Sequence, residues 1–134
     1  FQTVIPLPFF PGGSNLEHLP GPSALDNVKM IAISRLMLDN FDHVKAFWIM
    51  QTLPMSQLEL DFGADDIDGT VVWYDITKVG GADNHQELTA QDLRDTILEA
   101  GYDPVERDTL YHRVIRDSDA PQDWRVEEDT LAAV

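Results

Sequence analysis

Short apolar runs alternate along this chain with segments that carry helix-capping signals, and this alternation limits the possible folds more than any other feature. Runs at residues 4–10, 44–50 and 67–72 are rich in Val, Ile, Phe and Trp and have the length of buried β-strands. Pro6 and Pro8 lie in the first run. Because proline has no backbone N–H, we expect the first strand to lie outside the centre of a full hydrogen-bond ladder.

Three helices are predicted beside these strands. Ser23 and Thr89 are each followed three residues later by an aspartate, which is the pattern of an N-terminal capping box. Gly63 and Gly101 fit the position just after a helix, where glycine is favoured. The predicted helices run from Ser23 to about Leu38, over residues 56–62, and from Thr89 to Gly101.

The order of these elements predicts the fold class. Strands that alternate with helices are joined as parallel neighbours by right-handed crossovers, so we predict an α/β fold. Three parallel strands leave both edges of their sheet open. The chain starts with Phe1 rather than Met, and we expect it to be part of a longer protein. We therefore favour the C-terminal half of a (β/α) TIM-type barrel with parallel strands and open edges, with an independent α/β sandwich as the alternative.

Charge and cysteine content argue against several classes of protein. The net charge of −15 leaves no basic footprint for phosphate groups, so no nucleic-acid partner is expected. The chain has no cysteine and therefore no disulfide, thiolate nucleophile or cysteine-ligated cluster. The longest apolar run, at residues 46–50, is far shorter than the ~20 residues of a membrane span. We expect no membrane partner and a cytoplasmic location.

Residues 117–134 are acidic and are predicted to form a solvated, loosely ordered tail. Six carboxylates lie in this segment beside one basic residue, Arg125. Such a composition buries too little apolar surface to offset the entropy of ordering. We therefore divide the chain into a half-barrel of residues 1–116 and an acidic tail of residues 117–134.

No metal site is predicted from the sequence. The histidines at 18, 43, 85 and 112 lack the spacing of metal ligands, and each is expected at the surface or at a helix cap. Residues 64–69 resemble the start of an EF-hand loop, but its twelfth position is Asp75 rather than a bidentate glutamate.

Five stretches, taken in order, resemble the C-terminal region shared by aminofutalosine synthase, cyclic dehypoxanthine futalosine synthase and the deazaflavin FO synthase subunit. Together they span about residues 4–116, and the ordered set is more specific than any one stretch. They are I-P-L-P-F at 5–9, L-P-G-P at 19–22 with I-A-I-S-R-L-M-L-D-N-F at 31–41, V-K-A-F-W-I-M at 44–50, G-A-D-D-I-D-G-T at 63–70 and P-V-E-R-D-T-L-Y at 104–111.

The resemblance implies a radical S-adenosylmethionine enzyme and is strongest to aminofutalosine synthase. In such enzymes a C-x-x-x-C-x-x-C motif in the N-terminal half-barrel binds a 4Fe-4S cluster. That half would be the partner of this chain, which has no cluster ligands and is expected to be inactive alone. S-adenosylmethionine is cleaved to a 5′-deoxyadenosyl radical, which in aminofutalosine synthase adds to a small-molecule substrate, a carboxyvinyloxybenzoate, in menaquinone biosynthesis. The two other family members are alternatives within the class, and a non-catalytic binding module is an alternative outside it.

The resemblance also implies a pocket at the carboxyl ends of the barrel strands, although it assigns no catalytic residue. An adenosyl radical requires an apolar, water-poor wall and a few polar groups for ribose and carboxylate. Alternation along extended strands predicts that Trp48 and Met50 share one face, and that Asp68 and Thr70 share another. The substrate or S-adenosylmethionine pocket is predicted to contain Trp48, Met50, Asp68, Thr70, Phe10, Arg35 and Arg107. For the two arginines, structural ion pairs with Asp39 and Asp108 are an equal alternative.

Overall fold

The computed structural model describes residues 1–69, 87–118, 120 and 122–130. Its strands are β1 (Thr3–Val4), β2 (His43–Ala46), β3 (Asp66–Ile67), β4 (His112–Arg116) and β5 (Trp124–Thr130). Its helices are α1 (Ala24–Met37), α2 (Trp48–Gln51), α3 (Leu53–Leu60) and α4 (Ala90–Glu99). Strands β1, β2 and β3 form a parallel sheet in that order, and β4 and β5 pair antiparallel. The α/β class with parallel strands is confirmed, while the half-barrel stays a prediction.

The hydrophobic core covers one face of the parallel sheet. Alternation along β2 directs Val44 and Ala46 to this face, where both are fully buried with Ile31 of α1. Leu60 of α3 packs against the same cluster. Burying each large aliphatic side chain contributes about 1.5–3 kcal/mol, so this face anchors α1 and α3 to the sheet. The opposite face of the sheet is polar and forms the site described below.

Two helices begin as the capping pattern predicts. At α1, the Ser23 N–H donates to Asp26 Oδ2 at 2.9 Å, and Ser23 Oγ accepts from the Asp26 N–H. At α4, the Thr89 N–H donates to Asp92 Oδ2 at 2.8 Å, with the same reciprocal bond. These contacts are local in sequence, and both predicted helix starts are confirmed.

Two strand predictions were too long. The first run is a strand only at Thr3–Val4, because the prolines that follow cannot donate to the ladder. The second run leaves the sheet after Ala46, whose partner Ile67 is the last residue of β3. Trp48 then starts a helical turn, in which the Thr52 N–H donates to the Trp48 carbonyl at 2.7 Å. The prediction that Trp48 and Met50 lie on a strand is therefore wrong.

The second predicted helix begins earlier than expected. It runs from Leu53, with Thr52 Oγ1 accepting from the Met55 N–H at 3.4 Å and Pro54 in the first turn. It ends before Gly63, which has a φ of 110°. A left-handed backbone at this point turns the chain into β3, and glycine adopts it without steric cost.

The acidic C-terminal segment contains a strand, so the expectation of a loosely ordered tail is wrong for Trp124–Thr130. This strand, β5, pairs with β4, and Arg116 lies opposite Trp124. The pairing crosses the predicted boundary between residues 116 and 117, and that division stays a prediction. Glu106 ties β4 to α4, because it accepts from Arg94 at 2.8 Å and from Arg116 Nε at 2.8 Å. The Arg116 guanidinium keeps the pKa of Glu106 below its usual value, against the opposite effect of burial.

Part of the predicted third strand, residues 70–72, lies outside the described residues, as do Thr70 and His85. Within the described residues, no helix combines the length and apolar character needed to cross a membrane.

Candidate functional site

The face of the parallel sheet opposite the core carries charged side chains, and we call it the inner face. It consists of His43 and Lys45 of β2, Asp66 of β3, and Asp68 just after β3. His43 is 5% exposed and Lys45 is 8% exposed, which is unusual for charged or polar residues. The expectation of a surface or capping position for His43 is therefore wrong. Buried charges need partners, and each of these side chains has one.

At the amino end of the sheet, Asp65 binds Arg35 and His43. Arg35 Nη2 lies 2.5 Å from Asp65 Oδ1, and His43 Nδ1 lies 2.7 Å from Asp65 Oδ2. Arg35 Nε also donates to the Gly63 carbonyl at 2.8 Å. Arg35 therefore forms a structural ion pair, which was the alternative predicted for it, but its partner is Asp65 rather than Asp39. Because Asp65 precedes β3, Arg35 lies away from the carboxyl ends of the strands.

In the middle of the inner face, Asp66 is covered by Arg107 and Tyr111, which lie in the segment between α4 and β4. Arg107 Nη2 donates to Asp66 Oδ2 at 2.7 Å, and Arg107 Nε donates to Asp66 Oδ1 at 3.3 Å. The Tyr111 hydroxyl donates to Asp66 Oδ2 at 2.7 Å. Burial by itself would lower the pKa of Arg107, but Asp66 outweighs it and the pKa is raised. The salt bridge of Arg107 therefore joins it to Asp66 rather than to the Asp108 carboxylate.

Towards the carboxyl ends of the strands, Lys45 lies between two carboxylates. Its Nζ is 3.5 Å from Asp66 Oδ2 and 3.3 Å from Asp68 Oδ1. The Asp68 side chain is 23% exposed, compared with 10% for Asp66. In the described part of the chain, no donor is within hydrogen-bond distance of Asp68 Oδ2.

Trp48 holds the backbone of the rim, which is the carboxyl edge of the parallel sheet. Its indole Nε1 donates to the Asp68 carbonyl at 3.1 Å and to the Gly69 carbonyl at 3.3 Å, and the residue is 2% exposed. Met50 follows two residues later on α2 and is half-buried. Two positions apart on a helix point in nearly opposite directions, so the shared face predicted from strand alternation does not exist. Phe10 is half-buried in the segment after β1.

A cleft of about 870 Å³ lies beside β3, which is an outer strand of the described parallel sheet. One wall is apolar and comes from α4, with Leu93 and Ile97. The other wall is the segment from Pro104 to Arg107. Asp66 and Ile67 of β3 also line the cleft, which therefore lies between α4, residues 104–107 and an outer strand of the described parallel sheet.

The sequence of residues 1–119 matches the family described as the CofH/MqnC C-terminal region. The chain belongs to this family. It is 41% identical over 118 residues to an aminodeoxyfutalosine synthase of Thermus thermophilus, covering 85% of this chain and 32% of that protein. It is 46% identical over 103 residues to an aminodeoxyfutalosine synthase of Streptomyces coelicolor, covering 75% of this chain and 26% of that protein.

A third relative has a different name. It is a 5-amino-6-(D-ribitylamino)uracil–L-tyrosine 4-hydroxyphenyl transferase of Archaeoglobus fulgidus, 35% identical over 111 residues, which cover 81% of this chain and 32% of that protein. All three relatives carry names of enzymes. This CofH/MqnC C-terminal region thus spans about a third or less of the length of the curated relatives that it matches.

The inner face of this CofH/MqnC C-terminal region contains residues that the sequence analysis missed. Lys45 interrupts an apolar run, and a buried lysine requires carboxylates nearby. Asp66 and Asp68 alternate on the neighbouring strand, so the signal for this pairing was present. Tyr111 carried no comparable signal, because it meets Asp66 through the tertiary fold.

A 4Fe-4S cluster does not fit the residues of this chain. There is no cysteine in the sequence. Among the described residues, no three His, Asp or Glu side chains are grouped as metal ligands.

Proposed function

We propose that this chain is the C-terminal part of an aminofutalosine synthase, a radical S-adenosylmethionine enzyme of menaquinone biosynthesis by the futalosine route. The observation that carries this proposal is the identity of 41% and 46% to two aminodeoxyfutalosine synthases, compared with 35% and 40% to the tyrosine 4-hydroxyphenyl transferases of Archaeoglobus fulgidus and Haloarcula marismortui. The alternatives, a cyclic dehypoxanthine futalosine synthase or an FO synthase subunit, belong to the same class.

The proposed architecture is the C-terminal half of a (β/α) barrel. Strands β1 and β3 are the outer strands of the described parallel sheet. The cleft beside β3 supports this arrangement, because α4 and residues 104–107 line it together with a strand that is an outer strand of the described sheet. A strand from an N-terminal half-barrel, paired with the outer edge of β3, would continue the parallel sheet.

In the proposed reaction, the 5′-deoxyadenosyl radical adds to the enol-ether double bond of a carboxyvinyloxybenzoate, and rearrangement with loss of a carboxylate gives aminofutalosine. S-adenosylmethionine is a substrate, since its adenosyl group ends in the product. The 4Fe-4S cluster needed for its reductive cleavage has no ligand in this chain, and we assign it to the N-terminal half.

We assign the residues of this chain to binding and positioning. Asp68, Trp48, Met50 and Phe10 follow the carboxyl ends of the strands, where barrel enzymes bind their substrates. Thr70 lies outside the described residues and is assigned to the same pocket from the sequence alone. Trp48 holds the backbone of the rim and helps to exclude water. Arg35 and Arg107 are assigned a structural role beside the pocket. Arg107 binds Asp66 of β3, and Arg35 binds Asp65, the residue before β3.

The proposal is tested with the full-length protein, reconstituted anaerobically and supplied with reductant, S-adenosylmethionine and carboxyvinyloxybenzoate. Formation of aminofutalosine, followed by mass spectrometry, is the expected result. Turnover of dehypoxanthine futalosine, or of tyrosine with 5-amino-6-ribitylaminouracil, would instead assign one of the alternatives. Failure to cleave S-adenosylmethionine with any of these substrates would favour a non-catalytic binding module.

A further inference from the structure

We propose that Gln51, Ser56 and Glu59 form an internal site for a monovalent metal cation, Na⁺ or K⁺, at the junction of α2 and α3. The site uses no residue of the pocket assigned to the substrates, so the inference goes beyond the proposed function. Its ligands are oxygens of an amide, a hydroxyl and a carboxylate group, and oxygen is the ligand atom that hard cations prefer.

The three side chains are neighbours because of their positions on the two helices. Ser56 and Glu59 are three residues apart on α3, so they share one face of that helix. Gln51 is the last residue of α2, and only Thr52 separates it from α3. The Gln51 side chain also lies close enough to Glu59 to lower the pKa of its carboxyl group, in opposition to burial.

The oxygens of these side chains are buried and lack hydrogen-bond partners within the described residues. They are Gln51 Oε1, Ser56 Oγ and both carboxylate oxygens of Glu59. Ser56 and Glu59 are each 0% exposed. Buried polar atoms without a partner are rare in native proteins, because such atoms have given up their bonds to water. Neighbouring oxygens that do not bond to one another are suited to a ligand that binds them together.

A buried carboxylate requires a positive charge beside it, and the described part of this chain places none at Glu59. The helices α1 and α4 and the strand β2 pack against α3. Of their lysine and arginine side chains, Arg35, Lys45 and Arg94 each bind another carboxylate, and Lys29 is exposed. Because Glu59 is fully buried within this chain, a basic group of a longer protein cannot reach it unless α3 moves.

Charge and ligand number favour a monovalent ion. A single carboxylate balances a single positive charge, whereas Ca²⁺ takes about six to eight oxygen ligands and Mg²⁺ keeps several waters. A water molecule carries no charge and has fewer protons than this site has acceptors. A cation bound here would also hold the turn of α2, which begins at Trp48, against α3.

The test follows hydrogen exchange of the peptide that contains α3 in the full-length protein, at pH 8, where few protons compete for a carboxylate ligand. Exchange is compared in NaCl, KCl and choline chloride at about 0.15 M, which have equal ionic strength and therefore screen charges equally. In at least one metal salt, exchange of α3 should be about tenfold slower than in choline chloride, the effect of a site that is about 90% occupied. The peptide that contains β4 is the internal control and should exchange equally in all three salts.

Variants connect this effect to the proposed ligands. Glu59→Gln keeps the shape of the side chain and removes its charge, so the difference between the salts should disappear. Ser56→Ala removes one ligand and should make the difference smaller. Glu99→Gln, at an exposed position of α4, is the matched control and should respond to the salts as the wild type does.

Equal exchange of α3 in the three salts overturns the inference and would leave the cluster as a buried hydration site. A difference that persists in Glu59→Gln also overturns it, because the ion would then bind elsewhere. If Glu59→Gln does not fold, Ser56→Ala decides: a smaller difference supports the site, and an unchanged one overturns it. These outcomes do not depend on which reaction the full-length protein catalyses, so the inference and the proposed function can fail separately.

Discussion

The imidazole of His43 stacks on the ring of Tyr111, with the ring centroids 3.9 Å apart and the planes 7° from parallel. Arg107 also lies over the ring of Tyr111, with its guanidinium carbon 4.4 Å from the ring centroid. Strand β2 and the segment between α4 and β4 are thus joined through aromatic contacts as well as through ion pairs. Burial raises the pKa of Tyr111 to about 12, so its hydroxyl stays protonated and donates to Asp66 across the physiological range.

Two substitutions separate the hydroxyl of Tyr111 from its ring. Tyr111→Phe removes the hydrogen bond to Asp66 and keeps the stack, and we expect a loss of about 1–2 kcal/mol in the free energy of unfolding. Tyr111→Ala removes both, and we expect a loss of about 3–5 kcal/mol. Urea denaturation of the protein that contains this chain measures both values. Tyr102→Phe, at an exposed tyrosine that donates to Asp61, is the control. Equal losses for the two Tyr111 variants would show that the stack contributes nothing.

Three glycines form a graded series of alanine substitutions. At Gly63 the φ is 110°, and an added Cβ would lie 2.9 Å from Arg35 Cβ and 3.0 Å from Arg35 Cγ. Because Arg35 Cβ is bonded to the backbone of α1, side-chain rotation cannot move it away. Gly63→Ala must therefore shift α1 or disturb the Arg35–Asp65 ion pair. We expect a loss of about 3 kcal/mol or more.

The two other members of the series isolate the separate causes. Gly101 has a φ of 91° with nothing within 4 Å of an added Cβ, so Gly101→Ala should cost about 1 kcal/mol from backbone strain alone. Gly69 has free space and no positive φ, and Gly69→Ala should stay within about 0.5 kcal/mol of the wild type. Thermal and urea denaturation rank the variants. A Gly63→Ala effect no larger than that of Gly101→Ala would contradict the steric contact with Arg35.

Glu59 makes the stability depend on pH. It is fully buried on α3, and neither of its carboxylate oxygens makes a hydrogen bond within the described residues. Burial raises the pKa of Glu59 from 4.5 to about 7, against a smaller opposing effect of the Gln51 side chain. The folded state therefore holds this proton more tightly than the unfolded state does. Its contribution is fully present below about pH 4.5 and is lost as the pH rises through about 7.

The substitution Glu59→Gln removes this titration. The variant should be more stable than the wild type at pH 8, by up to about 3 kcal/mol, and the difference should shrink as the pH falls to 5. Denaturation at a series of pH values measures it. Glu99→Gln, an exposed control on α4, should leave the pH profile of the wild type in place. A profile that is the same in the Glu59→Gln variant as in the wild type would contradict the assignment to Glu59.

The sequence predicted the local features well. The capping boxes at Ser23 and Thr89 involve residues three positions apart, and the structure contains both. Gly63 and Gly101 both have the positive φ expected after a helix. The resemblance carried by the ordered stretches is confirmed by the match of residues 1–119 to the CofH/MqnC C-terminal region.

Predictions failed where the end of an element depends on distant residues. Nothing in the run V-K-A-F-W-I-M shows that the strand ends at Ala46, because that end depends on the short partner strand β3 and on the Trp48 indole bonded to the Asp68 and Gly69 carbonyls. The acidic composition after residue 116 favoured a solvated tail, yet backbone pairing with β4 orders Trp124–Thr130 as a strand.

The pattern of apolar residues and caps determined the α/β class, the parallel order and the helix starts, because these follow from periodicity and from bonds between near neighbours. Tertiary structure decided which charges meet. Asp65 rather than Asp39 binds Arg35, and Asp66 rather than the Asp108 carboxylate forms the salt bridge with Arg107. The physical reason is burial: a charge removed from water takes whichever partner the packed strands bring within reach, and sequence distance does not enter that choice.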